Sequence, residues 1–110
     1  MTLVIRFDDV RRADVGQVGG KNSSLGEMVQ TLEPKGIRVP PGFATTAEAY
    51  WRFIEANELK DPITDLLADL DRGEITLAEA GRDIRETVLK GRWPADTAEA
   101  IAAAYRELCQ

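Results

Sequence analysis

Apolar and polar positions fall into short blocks along the chain, and the period of the blocks changes from two to about 3.6. Leu3-Val4-Ile5-Arg6-Phe7 is a brief apolar run that predicts a strand, too short to make a stable sheet alone. Leu25, Met28, Val29 and Leu32 then recur at i, i+3, i+4 and i+7, the stripe of an amphipathic helix. Pro34 and Gly36 stop that helix near Leu32–Glu33. Gly26 within it marks a close approach of backbone, here expected against the first strand. Ile37-Arg38-Val39 reads as a second extended run. Pro40-Pro41-Gly42 is too stiff and too poor in donors for a central ladder, and Phe43-Ala44-Thr45 resumes as a strand.

From Thr45 onward the period is helical. Thr45-x-x-Glu48 predicts a capping box before a helix with Ala47, Tyr50, Phe53 and Ile54 on one face. The aromatic residues gathered there read as core. Asp61-Pro62 predicts the next start, Asp as cap and Pro at the first helical position, with Ile63, Leu66, Leu67 and Leu70 inward and Gly73 as stop. Thr76-x-x-Glu79 opens another helix, with Leu77, Ala80, Ile84 and Val88 inward and Gly91 at its end. Pro94 opens the last, whose face is Ala98, Ile101, Tyr105 and Leu108; Trp93 staples its start to the core. The pattern predicts an α+β, predominantly helical fold, with two or three short N-terminal strands plus about five helices. Residues 1–57 form a strand–loop–helix–strand–helix portion and 58–110 a helical subdomain. Short loops favour antiparallel neighbours in a small bundle.

Composition narrows the class. With 44% apolar and 30% charged residues in 110, the chain is a globular domain or part of one. Its 19 acidic and 14 basic residues leave a net charge of −5, which gives no basic face for nucleic acid. No apolar run reaches the length of a membrane span and no signal pattern opens the chain, so a cytoplasmic location is expected. There is no histidine, which removes imidazole chemistry and phosphohistidine from this chain. The one cysteine, Cys109, forms no internal disulfide and reads as an incidental helix residue. Asp8, Asp9 and Asp14 share their segment with Arg6, Arg11 and Arg12, and read as a solvated turn rather than a metal site.

The candidate chemistry lies between the first strand and the first helix, in Val18-Gly19-Gly20-Lys21-Asn22-Ser23-Ser24-Leu25-Gly26-Glu27-Met28. Two glycines and a lysine occupy an expected loop that opens into a helix N-terminus. Unpaired N–H groups and the helix dipole favour an anion there, glycines admit close approach, and lysine adds a mobile charge. Asn22, Ser23 and Ser24 all suit an N-cap, and Ser24-x-x-Glu27 also reads as a capping box. The motif is not a Walker A loop: Val15 stands where its first glycine is required, and Asn22 replaces Ser or Thr. On residues alone, a phosphate seat and a glycine-rich turn with a solvated lysine both stay open.

This stretch, with Val39-Pro-Pro-Gly-Phe-Ala-Thr-Thr-Ala-Glu-Ala-Tyr50, resembles the start of the phosphoenolpyruvate synthase and pyruvate phosphate dikinase family. The rifampicin-phosphorylating enzymes belong to the same group. The likeness runs from about Leu3 to the end, strong over 18–50 and weaker over 58–110. Asn-Ser-Ser after the lysine and Ala-Thr-Thr-Ala after Phe43 look more like the synthase branch. The resemblance implies part of an ATP-grasp-like nucleotide-binding domain, with the Pro-Pro-Gly-Phe segment pairing with the first strand beside the ATP cleft. It implies that Lys21 holds ATP phosphates, that Gly19 and Gly20 let backbone approach the nucleotide, and that Asn22 caps the helix or reaches the phosphates.

It also implies a parent enzyme that uses ATP, pyruvate and water to make phosphoenolpyruvate, AMP and phosphate through a phosphohistidine on another domain. Pyruvate and the Mg²⁺ ligands then lie outside this chain, which is expected to be an N-terminal piece, inactive alone. A dikinase or rifampicin phosphotransferase is the first alternative. A non-catalytic helical interaction module is the second.

Overall fold

The computed structural model describes residues 2–109. By its contacts the chain divides into two compact units, Met1–Tyr50 with Ala95–Gln110, and Trp51–Pro94. The sequence boundary at 57/58 follows a change of pattern; by contacts the last helix joins the N-terminal unit.

In the first unit β1 (Val4–Arg6) leads into 3₁₀ turns at Phe7–Asp9 and Arg12–Asp14, then α1 (Val15–Val18) and α2 (Gly20–Leu32). A 3₁₀ turn at Glu33–Lys35, β2 (Phe43–Thr45), the start of α3 (Ala47–Ala56) and α6 (Ala95–Leu108) complete it. β1 and β2 pair antiparallel, with Val4 opposite Thr45, Ile5 opposite Ala44 and Arg6 opposite Phe43. The expected pairing of the segment after Pro-Pro-Gly with the first strand is therefore present. The Phe7 N–H extends it by donating to the Gly42 carbonyl at 3.0 Å. Ile37-Arg38-Val39 is not a strand, so among the described residues two strands form rather than three.

Thr46, not Thr45, caps α3. Its hydroxyl accepts from the Ala49 N–H at 3.2 Å and donates to the Thr2 carbonyl at 2.6 Å. Thr45 is committed to the ladder with Val4, and that moves the cap on by one residue. Along α3, Ala49 is buried in this unit while Ala47 and Tyr50 are exposed, which turns the expected face by part of a turn.

The core here is made of small side chains: Val10, Val18 and Ala44, flanked by Ile5 and Phe7. It depends on close backbone. A Cβ built on Gly26 would lie 2.6 Å from both the Cβ and the carbonyl oxygen of Val10. So Gly26 meets the turn after β1 rather than β1 itself. The Gln30 carboxamide donates to the Val10 carbonyl, closing the same contact. That approach turns α2 so that Ser23, Gly26 and Val29 are its buried line, while Met28, expected inward, is exposed. On α6, packed against β1, Thr97 is buried and Ala100 to Ala104 are half-buried. Ala98, Tyr105 and Leu108, expected inward, face solvent.

The second unit is helical: the end of α3, α4 (Lys60–Asp71) and α5 (Leu77–Leu89), with α4 packed on α5. Its core is Phe53, Ile54 and Leu59, with Ile63 and Val88 against it. α4 begins before Asp61, because the buried Leu59 donates its N–H to the Ile54 carbonyl and accepts at its own carbonyl from Ile63. Asp61 and Pro62 thus sit in the first turn, which needs no N–H from proline, rather than as cap and first position. Gly73, at φ +74°, ends α4. The Thr76–Glu79 capping box forms in both directions. Leu77 is exposed, leaving Ala80, Ile84 and Val88 as the covered side of α5.

Candidate functional site

The segment from Val15 to Ser24 contains no loop of any length. One helical turn, α1, ends at Val18, and Gly19 reverses the chain at φ +85°, ψ +164°. That conformation is open to glycine and strained for any side chain. α2 starts at once with Gly20, so Lys21 is its second residue and Asn22 its third. Gly19 is the N-cap, and its carbonyl accepts from the Ser23 N–H at 3.0 Å.

Asn22, Ser23 and Ser24 therefore do not cap α2, and Ser24-x-x-Glu27 is not a capping box. The polar side chains turn back on the helix instead. The Asn22 Nδ2 donates to the Val18 carbonyl at 2.8 Å, and the Ser23 hydroxyl donates to the Gly20 carbonyl at 3.0 Å.

The bend is open. A Cβ on Gly16, Gly19 or Gly20 would meet nothing within 4 Å. For Gly19 the positive φ explains the glycine. For Gly20, neither backbone conformation nor crowding does. Lys21 is exposed, and among the described residues it makes no ion pair. No acidic residue occupies the first turn of α2. Gly19, Gly20, Lys21 and Asn22 are brought together as expected. The Gly19 N–H is spent on the Val15 carbonyl at 2.8 Å, whereas Gly20, Lys21 and Asn22 present N–H groups without helical partners beside an ammonium that forms no ion pair among the described residues. Such a set of donors suits an oxyanion and offers nothing to a cation, which needs oxygen ligands.

Among the described residues no three Asp, Glu, Cys or His side chains gather in a metal-holding group, and no helix is long and apolar enough to cross a membrane. The sequence reading missed that the lysine is already inside a helix. The signal was present in Gly19-Gly20 followed by four residues able to continue a helical turn.

A short sheet backed by a helix with an open, glycine-led first turn, joined to a helical unit, defines an α+β domain. Comparison with known proteins gives the family. The model of the pyruvate phosphate dikinase AMP/ATP-binding domain matches residues 15–110, and the chain belongs to that family. Phosphoenolpyruvate synthase from Synechocystis sp. is 47% identical over 98% of this chain. Those from Neisseria meningitidis serogroup B and Escherichia coli strain K12 are 46% and 39% identical, each over 96% of it. The chain spans 13% of the length of the first two and 14% of the third.

Proposed function

We propose that this chain provides the phosphate-holding corner of the nucleotide-binding domain of a phosphoenolpyruvate synthase. The parent reaction consumes ATP, pyruvate and water and yields phosphoenolpyruvate, AMP and inorganic phosphate. A histidine elsewhere in the parent accepts and passes on the phosphoryl group; pyruvate and the Mg²⁺ ligands also belong to other parts. Residues 1–57 carry the nucleotide contacts and 58–110 the helical support. The protein works in the cytoplasm.

The observation that carries this reading is the Gly19 bend delivering an uncrowded Gly20 and an unpaired Lys21 to the first turn of α2. An approaching phosphate supplies the reason for glycine at position 20 that the fold does not. The Lys21 ammonium would sit against the phosphate oxygens and offset negative charge as the phosphoryl group departs. Gly19 turns the backbone, and the main-chain N–H groups of Gly20, Lys21 and Asn22 complete the group around the phosphates. Phosphoryl transfer is chiefly positioning and electrostatics, so this chain alone binds ATP weakly and catalyses nothing.

The test is a titration of the ¹⁵N-labelled chain with ATP, with and without Mg²⁺. Amide shifts are expected over residues 16–27 and nearly absent in Lys21→Ala. Shifts centred elsewhere, or equal in the variant, would overturn the assignment.

A further inference from the structure

Two backbone carbonyls flank the open bend, Val18 before it and Gly20 after it. The Gly20 carbonyl lies inside α2 and points along it, so the Val18 carbonyl is the one that, left bare, would present a partial negative charge beside the groups that meet the phosphate. It is not bare. The Val18 carbonyl accepts from the Asn22 Nδ2 at 2.8 Å, and the Gly20 carbonyl accepts from the buried Ser23 hydroxyl at 3.0 Å. Both donors come from the first turn of α2 and reach back over it. What remains outward is N–H and ammonium.

We propose that Asn22 is a positioning residue for the nucleotide, not a ligand to it. This rests on the phosphate role proposed above. Its carboxamide is committed to Val18, so it does two things at once. It ties the end of α1 to the start of α2 across the Gly19 reversal, holding the Gly20 and Lys21 N–H groups in one direction. It also occupies the carbonyl whose dipole would repel an incoming phosphate. Asparagine suits the position because only the carboxamide nitrogen faces the carbonyl. Aspartate would place a carboxylate against that carbonyl and beside the phosphate, although an acid in the first turn favours the helix itself.

The test compares Asn22→Ala, Asn22→Asp and Asn22→Thr in the whole chain, with Lys21→Ala as control. A threonine hydroxyl can donate back to the carbonyl four residues earlier but has no atom left to reach a ligand. In the nucleotide-free protein, Asn22→Ala is expected to raise amide exchange and backbone mobility at Gly19 and Gly20, and Asn22→Thr to restore both. ATP affinity is expected to fall about tenfold in Asn22→Ala, the scale of one lost hydrogen bond, and to stay within about twofold of wild type in Asn22→Thr. In Asn22→Asp the loss is expected to grow from AMP to ADP to ATP while thermal stability holds. Failure of Asn22→Thr to recover affinity, with the bend restored, would make Asn22 a direct ligand and overturn the proposal. An unchanged bend in Asn22→Ala would overturn it as well. Absence of any Lys21-dependent ATP shift in the wild type would sink the phosphate role instead, and is read separately from the bend.

Discussion

The two units reach a packed interior by opposite means. The first brings backbones together: Gly26 lies against Val10, Gly42 against the Phe7 ring, and Gln30 reaches across to the Val10 carbonyl. Its buried side chains are no larger than valine. The second fills space with Phe53, Ile54 and Leu59, and ties its ends with polar and ring contacts. Asn57 grips Arg92 in both directions, Nδ2 to the carbonyl and Oδ1 from the N–H, each at 2.8 Å. Trp93 lies on Phe53 with centroids 5.0 Å apart, and Gly91 leaves room for that ring. Side-chain packing tolerates repacking, whereas backbone contact at sub-ångström tolerance does not. The unit proposed to carry the phosphate corner is the one built on close backbone contact. Precision at the Gly19 bend follows from where α2 is held, at Gly26 and Gln30, about two and three turns along the same helix.

The largest effect should come from Phe53→Ala. Removing a buried ring with aromatic and aliphatic neighbours costs about 3–5 kcal/mol, a large share of the stability of a domain this size. Denaturant unfolding measures it. Hydrogen exchange should place the loss in residues 51–94. The ATP-dependent shifts at 16–27 should survive under conditions where the chain stays folded. If those shifts vanish with the fold intact, the units are not the separate bodies their contacts describe.

Gly26→Ala should cost less, about 2 kcal/mol, since the added methyl group must displace Val10 or the helix. Its signature should be the reverse. Protection at Val10 and along α2 should fall, and nucleotide shifts at Gly20 and Lys21 should weaken with it. Residues 51–94 should keep their exchange rates. Lys21→Ala offers the contrast: a stability change within about 0.5 kcal/mol, as for an exposed side chain without partners, but lost ATP response.

This asymmetry also explains what could be read in the sequence. The second unit was the more legible because its core is a side-chain core, although Leu67 and Leu77, expected inward, are exposed. Ala80, Ile84 and Val88 mark the covered face of α5, Gly73 marks the end of α4, and the Thr76–Glu79 pair marks the start of α5 by local chemistry. The first unit was legible only in outline. Its strands and the glycine–lysine group were visible, but periodicity of large apolar residues placed Met28 and Tyr105 inward. The faces of α2 and α6 that turn to the core carry Ser, Gly, Thr and Ala, which a hydrophobic pattern does not register. Asn22, Ser23 and Ser24 were read as caps because capping is what those residues do when the turn before them is extended. Here Gly19 makes the reversal alone, and Asn22 and Ser23 fold back on the carbonyls of Val18, at the end of α1, and Gly20, at the start of α2.

The smallest expected effect separates the units by pH. The Glu79 carboxyl is held below its ordinary range, first by the Thr76 N–H and then by the Thr76 hydroxyl. The Thr76 N–H donates to Glu79 Oε1 at 3.1 Å, and the Glu79 N–H returns a bond to the Thr76 hydroxyl at 3.1 Å. A depressed pKa means that the folded state binds its proton less readily than the unfolded state. The contribution is therefore complete above the ordinary glutamate range and is lost as pH falls through the depressed value. Amide exchange at the first turn of α5 should quicken on acidification, corrected for intrinsic rates, and the start of α2 should not follow. The turn of α2 has no acid and is capped by a backbone carbonyl, so nothing there titrates in that range. Glu79→Gln keeps an acceptor without the charge and should flatten the pH response at α5. An equal acid response at both helix starts would mean that the capping of the two units shares a common titrating group, against the separate devices described for each.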